Sequence, residues 1–212
     1  MAEQQQKAAA AADDDQQQQQ KDHQQWEGEV VARLPSTRAA AAWPHVASFF
    51  SLHLYLPGID VCDRVSGDDG VPGCVRLVAS RRPPPPRSEE DDAAGDVESE
   101  TMTWAKEELV ERDDARRRLV YAVVGSNMGF GRYVSTITIL DDGEQEEGHD
   151  VISPGCRLVW AFECEPVEGW SREGLHGYLD GAAKGMAERI EAAAAAIAVA
   201  GEEDGGAAPA CS

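Results

Sequence analysis

The segment after Ser171 constrains this chain more than any other. Leu175, Tyr178, Leu179, Ala182, Met186 and Ile190 recur at three- and four-residue spacing, one apolar stripe on a long helix that Ser171 is placed to cap. Such a helix must bury its stripe against another element. Most of the preceding chain reads as strand, so that element is a sheet. Gly177, Gly181 and Gly185 form a second stripe on the same helix. Lys184, Glu188 and Arg189 exclude a membrane-dimerisation reading of it. Close packing of helix on sheet, or room left for a ligand, both remain open.

The strands precede that helix in order. Trp26, Gly28, Val30, Ala32 and Leu34 alternate with Glu27, Glu29, Val31 and Arg33, which reads as a half-buried strand. Gly131–Leu140 alternates as clearly, Leu119–Val124 is a strong strand signal and Cys156–Glu165 reads as the last strand. Ile59–Val65, Cys74–Ser80 and Thr103–Arg112 are short stretches, the first two β-branched and bounded by Gly/Asp/Pro clusters. After the first strand, Ser36 or Thr37 is placed to cap a helix starting near Arg38. Pro44 lies within that helical run and predicts a kink or a break into two short helices. The order is strand, kinked helical segment, six strands, long helix. It predicts an α+β fold in which a seven-stranded antiparallel sheet wraps a long C-terminal helix. The wedge between sheet and helix is where a pocket forms.

The formal charge of −20 looks extreme until it is located. Residues 1–25, 87–100, 141–150 and 201–212 carry −3, −6, −6 and −3, leaving about −2 for the rest. Acidity in tails and loops disfavours nucleic acid or an anionic membrane as partner. The Gln/Ala/Asp-rich residues 1–25 hold too little apolar surface to offset chain entropy and read as disordered. The Pro/acidic stretch 82–101 and the tail 201–212 read the same way, leaving one domain over 26–200. Five scattered cysteines, in odd number and without metal spacing, read as free thiols in a reducing compartment. No secretory h-region and no apolar run near the ~18 residues of a spanning helix is seen. A soluble, cytoplasmic monomer with no cofactor and no metal is expected.

One strand is unusually charged. Trp104-Ala-Lys-Glu-Glu-Leu-Val-Glu111 carries Glu107, Glu108 and Glu111. Alternation alone does not fix its faces. With Glu107 inward, Leu109 is inward too, and Trp104 and Val110 face out. The opposite phase leaves Glu107 solvated. Arg76, on Cys74-Val-Arg76, is the candidate partner for an inward Glu107.

Several motifs then carry a resemblance. They are Trp26-Glu-Gly-Glu-Val30, Leu34-Pro35, Ala42-Trp43, Phe49-Phe-Ser-Leu-His53 and Pro72-Gly-Cys-Val-Arg76. To these add Trp104-Ala-Lys-Glu-Glu-Leu109, Tyr133-Val-Ser-Thr136, Trp160-Ala-Phe162 and Val167-Glu-Gly-Trp170. Together they span 26 to about 190 and resemble plant lachrymatory factor synthase-like proteins. Those proteins belong to the polyketide cyclase, START-type and birch-pollen-allergen superfamily with its helix-grip fold. The resemblance implies a catalytic pair at Arg76 and Glu107 and a cavity tyrosine at Tyr133. In that family an alkenyl sulfenic acid is rearranged to a thial S-oxide by moving a proton. Glu107 would shuttle it, Arg76 would hold the sulfenate oxygen and Tyr133 would position the substrate. Tyr121, Phe162, Tyr178 and Met186 are the cavity-lining candidates. The implied partner is a small hydrophobic or sulfur-containing metabolite. A segment at Arg132 and Asn127-Met-Gly-Phe-Gly131 departs from the enzyme's pattern.

Other residues read more plainly. Trp43, Trp160 and Trp170 read as core, His53 and His176 as solvated or capping, and Cys74 as a small buried hydrophobe. An isomerase-like enzyme and a non-catalytic carrier of a hydrophobic metabolite are both compatible with the chain. A hormone receptor of the abscisic acid type is disfavoured. Ser66-Gly-Asp-Asp69 and Gly129-Phe-Gly-Arg132 stand where its gate and latch signatures would be.

Overall fold

A computed structural model describes residues 25–81, 102–142 and 155–204, with side chains on the last helix to Ile197. Residues 1–24, 82–101 and 205–212, where the sequence predicts disorder, lie outside the described residues. The helical run continues through Asp204, four residues beyond the expected domain end.

The elements are β1 (Trp26–Leu34), α1 (Ala39–Ala47), a 3₁₀ turn (Phe49–Ser51), α2 (Leu52–Tyr55) and β2 (Val61–Ser66). There follow β3 (Val75–Arg81), β4 (Met102–Asp113), β5 (Arg118–Ser126), β6 (Tyr133–Asp141), β7 (Cys156–Cys164) and α3 (Arg172–Asp204). The seven strands form one sheet in the order β1-β7-β6-β5-β4-β3-β2, every pair antiparallel. The helical segment is what carries the chain from one sheet edge, β1, to the other, β2. From there a meander returns it strand by strand to β1. This is the seven-stranded sheet with a long C-terminal helix that the alternation and the final stripe predict.

Alternation sets the core. Val30, Ala32 and Leu34 of β1 are buried, as are Tyr133, Ser135, Ile137 and Ile139 of β6 and Leu158, Trp160 and Phe162 of β7. They pack against Leu175, Leu179, Ala183, Met186 and Ile190 of α3. Burial of each such side chain contributes roughly 1.5–3 kcal/mol. Three polar ties run along α3 to β1 and its following turn. Arg172 donates to the Glu27 carbonyl, His176 Nε2 pairs with the Glu29 carbonyl at 3.1 Å, and Glu191 accepts from Ser36 N–H at 2.7 Å.

Local expectations fare unevenly. Ser171 does cap α3, its Oγ accepting from Gly174 N–H at 3.0 Å. Neither Ser36 nor Thr37 caps α1; Arg38 holds the cap position without a side-chain bond. Ser36 is drawn instead to Glu191, and Thr37 is buried. Pro44 is accommodated inside α1, and the break falls four residues later at Ser48. Trp170 is 39% exposed rather than core, and Tyr178, at the margin of the apolar stripe, is 52% exposed. Cys62, Cys74, Cys156 and Cys164 are free thiols.

The glycine stripe divides. A Cβ on Gly181 would meet nothing within 4 Å, whereas one on Gly185 would lie 2.5 Å from Pro57 Cγ. Gly181→Ala is therefore expected to stabilise by about 0.5–1 kcal/mol through helix propensity. Gly185→Ala must displace the Pro57 ring and is expected to cost about 1–3 kcal/mol. Thermal unfolding of both variants checks the difference in sign. Equal shifts would show that the Pro57 contact is not tight.

Candidate functional site

β3 and β4 pair so that Arg76 stands directly across from Glu107. Two irregularities in the β4–β5 ladder fix the phase there. Val124 is skipped between the pairs Lys106–Gly125 and Glu107–Val123, and Val110 is skipped between Leu109–Tyr121 and Glu111–Val120. Both skipped valines are about half exposed (51% each). In this part of β4, Ala105, Glu107 and Leu109 face inward. Bulges of this kind re-aim side chains and recur beside functional sites.

Glu107 and Arg76 are the two charged residues buried among the described residues, at 8% and 3% exposure. Arg76 Nε donates to Glu107 Oε2 at 2.7 Å, and Nη1 donates to the Phe49 carbonyl at 2.5 Å. The guanidinium lies 3.8 Å from the Phe49 ring centroid and 5.3 Å from that of Tyr121, both within cation–π range. A carboxylate this deep is tolerated because a guanidinium satisfies it. Oε1 of Glu107 has no protein donor among the described residues. The arrangement is one fixed cation and one carboxylate oxygen in an aromatic surround, able to hold and exchange a proton with a polar group brought to it.

Tyr133 joins this surround from β6. Trp160 Nε1 donates to Ser135 Oγ at 2.8 Å, and Ser135 Oγ donates to the Tyr133 hydroxyl at 3.1 Å. With its oxygen engaged, the Tyr133 proton is left to donate elsewhere. Burial pushes the Tyr133 and Tyr121 phenols well above their usual range, and the Glu107 charge adds to both shifts. Both stay protonated at neutral pH. Phe162 stacks on Tyr133, with centroids 6.5 Å apart and planes within 4°, and Phe130 meets Tyr133 edge-on at 5.1 Å. Ser135 and Trp160 were not singled out as functional from sequence. The signal was present, since Ser135 shares the face of Tyr133 two residues away.

A cleft of about 660 Å³ opens between β3, the β5–β6 loop, α3 and the Pro57 turn. Ile59, Val78, Met128, Phe130, Leu175 and Tyr178 give it apolar walls, with Trp170 at the rim. Its polar groups are largely engaged. Ser80 Oγ donates to the Gly58 carbonyl, and the Asn127 amide bonds backbone atoms of Met102 and Trp104. Of the cavity-lining candidates, Tyr178 lines this cleft, edge-on to Trp170 at 5.6 Å. Tyr121, Phe162 and Met186 sit in the core, as do Arg76, Glu107 and Tyr133. Two cleft-wall residues adjoin members of this buried set. Val78 is two residues from Arg76 on the same face of β3. Phe130 touches Tyr133. Burial raises the Tyr178 phenol, and the Glu107 charge adds to that shift.

Other chemistry is thin. Burial raises the Cys74 thiol and lifts those of Cys156 and Cys164 to about 11, well away from reactive thiolates. Among the described residues no group of three or more His, Cys, Asp or Glu is placed to hold a metal ion. No helix among them is long and apolar enough to cross a membrane. His53 Nδ1 is buried without a partner, so His53 is neither solvated nor capping at that atom.

A family model described as polyketide cyclase/dehydrase and lipid transport matches residues 26–197. The chain belongs to that family. Solved structures of the same fold include the XoxI protein of Bacillus cereus (20% identity; 79% of this chain and 94% of that one; TM-score 0.54). The ginseng major latex-like protein 151 from Panax ginseng is similar at 16% identity, over 79% and 97% of the chains, with a TM-score of 0.51. A Thermobifida fusca protein is similar at 18% identity, over 78% and 92%, with a TM-score of 0.50. At these identities the likeness is one of fold.

Proposed function

We propose that this protein binds a small hydrophobic molecule carrying one oxygen-bearing polar group. The apolar body lies in the cleft, and the polar group reaches Arg76 and Glu107. What supports this reading is the buried 2.7 Å Arg76–Glu107 pair, with Val78 of the cleft wall two residues from Arg76 on β3. A charged pair in the core is weak evidence for stability in itself. In this reading its second use is as a polar anchor for a ligand whose apolar body lies in the cleft.

The finer reading is catalytic and lachrymatory factor synthase-like. A sulfenic acid would give its O–H proton to Glu107 and receive one at carbon, an isomerisation that leaves the formula unchanged. Arg76 would hold the oxygen as charge builds on it, and the Tyr133 proton, free of Ser135, would orient the same group. The second reading is a non-catalytic carrier using the same anchor.

Glu107→Gln separates the two while keeping shape and an acceptor for Arg76. The full chain is assayed with an alkenyl sulfenic acid generated in situ, and with anilinonaphthalene sulfonate as a binding probe. Under the catalytic reading turnover is expected to fall by roughly 10²–10⁴, with probe affinity little changed. Under the carrier reading the wild type shows no turnover and the variant shifts probe affinity alone. A variant that alters neither sinks the placement of the ligand at this pair.

A further inference from the structure

The β2–β3 loop reaches the buried pair through a single peptide unit. Asp69 lies in that loop. Its Oδ1 accepts from the Phe50 backbone N–H at 3.0 Å, and its Oδ2 from Ser48 Oγ at 3.1 Å. The Phe49 carbonyl belongs to the same peptide unit as the Phe50 N–H, and it accepts from Arg76 Nη1 at 2.5 Å. A trans peptide is planar, with its oxygen and hydrogen pointing in opposite directions. One peptide is thus bracketed by a carboxylate at its N–H and a guanidinium at its C=O. Both polarise it in the same sense, and hydrogen bonds in such a chain strengthen one another. The chain continues from Arg76 Nε to Glu107 Oε2 at 2.7 Å.

The loop is seated firmly enough for this. Gly70, at φ +72°, lies against the Arg112 guanidinium, which also pairs with Asp114 at 2.9 Å. Asp114 in turn accepts from Trp43 Nε1 at 2.8 Å. Asp69 is therefore held over the 3₁₀ turn by neighbours that touch neither Arg76 nor Glu107.

We propose that Asp69 is a positioning residue for Arg76, acting through the Phe49–Phe50 peptide to fix the guanidinium against Glu107. Its importance to function rests on the reading of that pair as the polar end of the ligand site. A plain capping role would account for the Phe50 bond and would move stability alone. A positioning role moves Arg76 as well.

NMR of the ¹⁵N-labelled full chain, without ligand, reads both ends of the peptide. Asp69→Ala is expected to quicken Phe50 amide exchange by roughly tenfold, the weight of one hydrogen bond, and to shift the Arg76 Nε–Hε signal. Asp69→Asn keeps an acceptor but loses the charge. It is expected to leave Phe50 exchange near wild type and to shift the Arg76 signal part of the way in the same direction. Ser171→Ala, which uncaps α3 away from the loop, is expected to lower stability and leave the Arg76 signal in place. An Arg76 signal unmoved in Asp69→Ala, or moved as far by Ser171→Ala, overturns the proposal. Should Asp69→Ala not fold, Asp69→Asn decides alone, and an unmoved Arg76 signal overturns it. No ligand enters this measurement, so its failure is distinct from failure of the binding reading, which Glu107→Gln tests.

Discussion

Arg76→Met is expected to lower the unfolding free energy by about 3–5 kcal/mol, because it strands the Glu107 carboxylate in the core. Methionine fills much of the volume and keeps contact with Phe49 and Tyr121, so little of the loss comes from packing. Most of it comes from an ionised oxygen left with no donor, since Arg76 Nε supplies the one protein hydrogen bond to Glu107 among the described residues. The Phe49 carbonyl loses its charged donor at the same time. Adding Glu107→Met removes the stranded charge, and the double variant is expected to recover most of the loss. Replacing both members of a buried pair by apolar groups is often neutral or stabilising. Urea unfolding of the two variants measures this. If the double variant is no more stable than Arg76→Met, the pair holds the fold together by more than its own charge balance.

Phe162→Ala is expected to cost a similar amount, about 3–5 kcal/mol, for a different reason. Phe162 is 2% exposed, fills the space beside Gly28 and stacks on Tyr133. A Cβ on Gly28 would lie 2.6 Å from the Phe162 ring, so the two strands are already in close approach and β1 has no side chain to fill the void. The stack itself accounts for about 0.5–1.5 kcal/mol of the loss. The cavity left behind adjoins Tyr133, and Phe130 of the cleft wall packs edge-on against that ring. Stability should therefore fall while the affinity for anilinonaphthalene sulfonate rises. Urea unfolding and dye titration on one preparation test both halves. A stability loss under about 1 kcal/mol would mean that the strands collapse into the void. In that case no new binding space forms.

The sheet was legible where one phase held from end to end. In β1 and β6 one phase runs unbroken from end to end, so alternation specified the strand, and in β1 the charges of Glu27, Glu29 and Arg33 mark the outer face as well. β4 was not legible in that way. Lys106, Glu107 and Glu108 place a charge on both phases, and the skipped Val110 breaks the alternation that would have chosen between them. The motif resemblance pointed to Glu107 where periodicity was silent. The cleft was out of reach for another reason. Its walls come from Pro57, Val78, Met128, Leu175 and Tyr178, short contributions from distant parts of the chain whose meeting depends on tertiary packing. The α1 cap expected at Ser36 or Thr37 is not made: Arg38 holds the position, and the Ser36 N–H donates to Glu191, 155 residues on, a contact no local rule foresees. The tie from Asp69 to Phe50 depends likewise on a loop folding back over a turn nineteen residues earlier.

Val110, the skipped residue on β4 itself, also makes the two halves of that strand separable. In an uninterrupted strand, the face of each residue is tied to that of every other. Val110 acts as a hinge of parity: inward positions before it are odd-numbered, Ala105, Glu107 and Leu109, and after it Arg112, partnered with Leu119, takes the even parity. Residues on one side can therefore be exchanged without reassigning faces on the other.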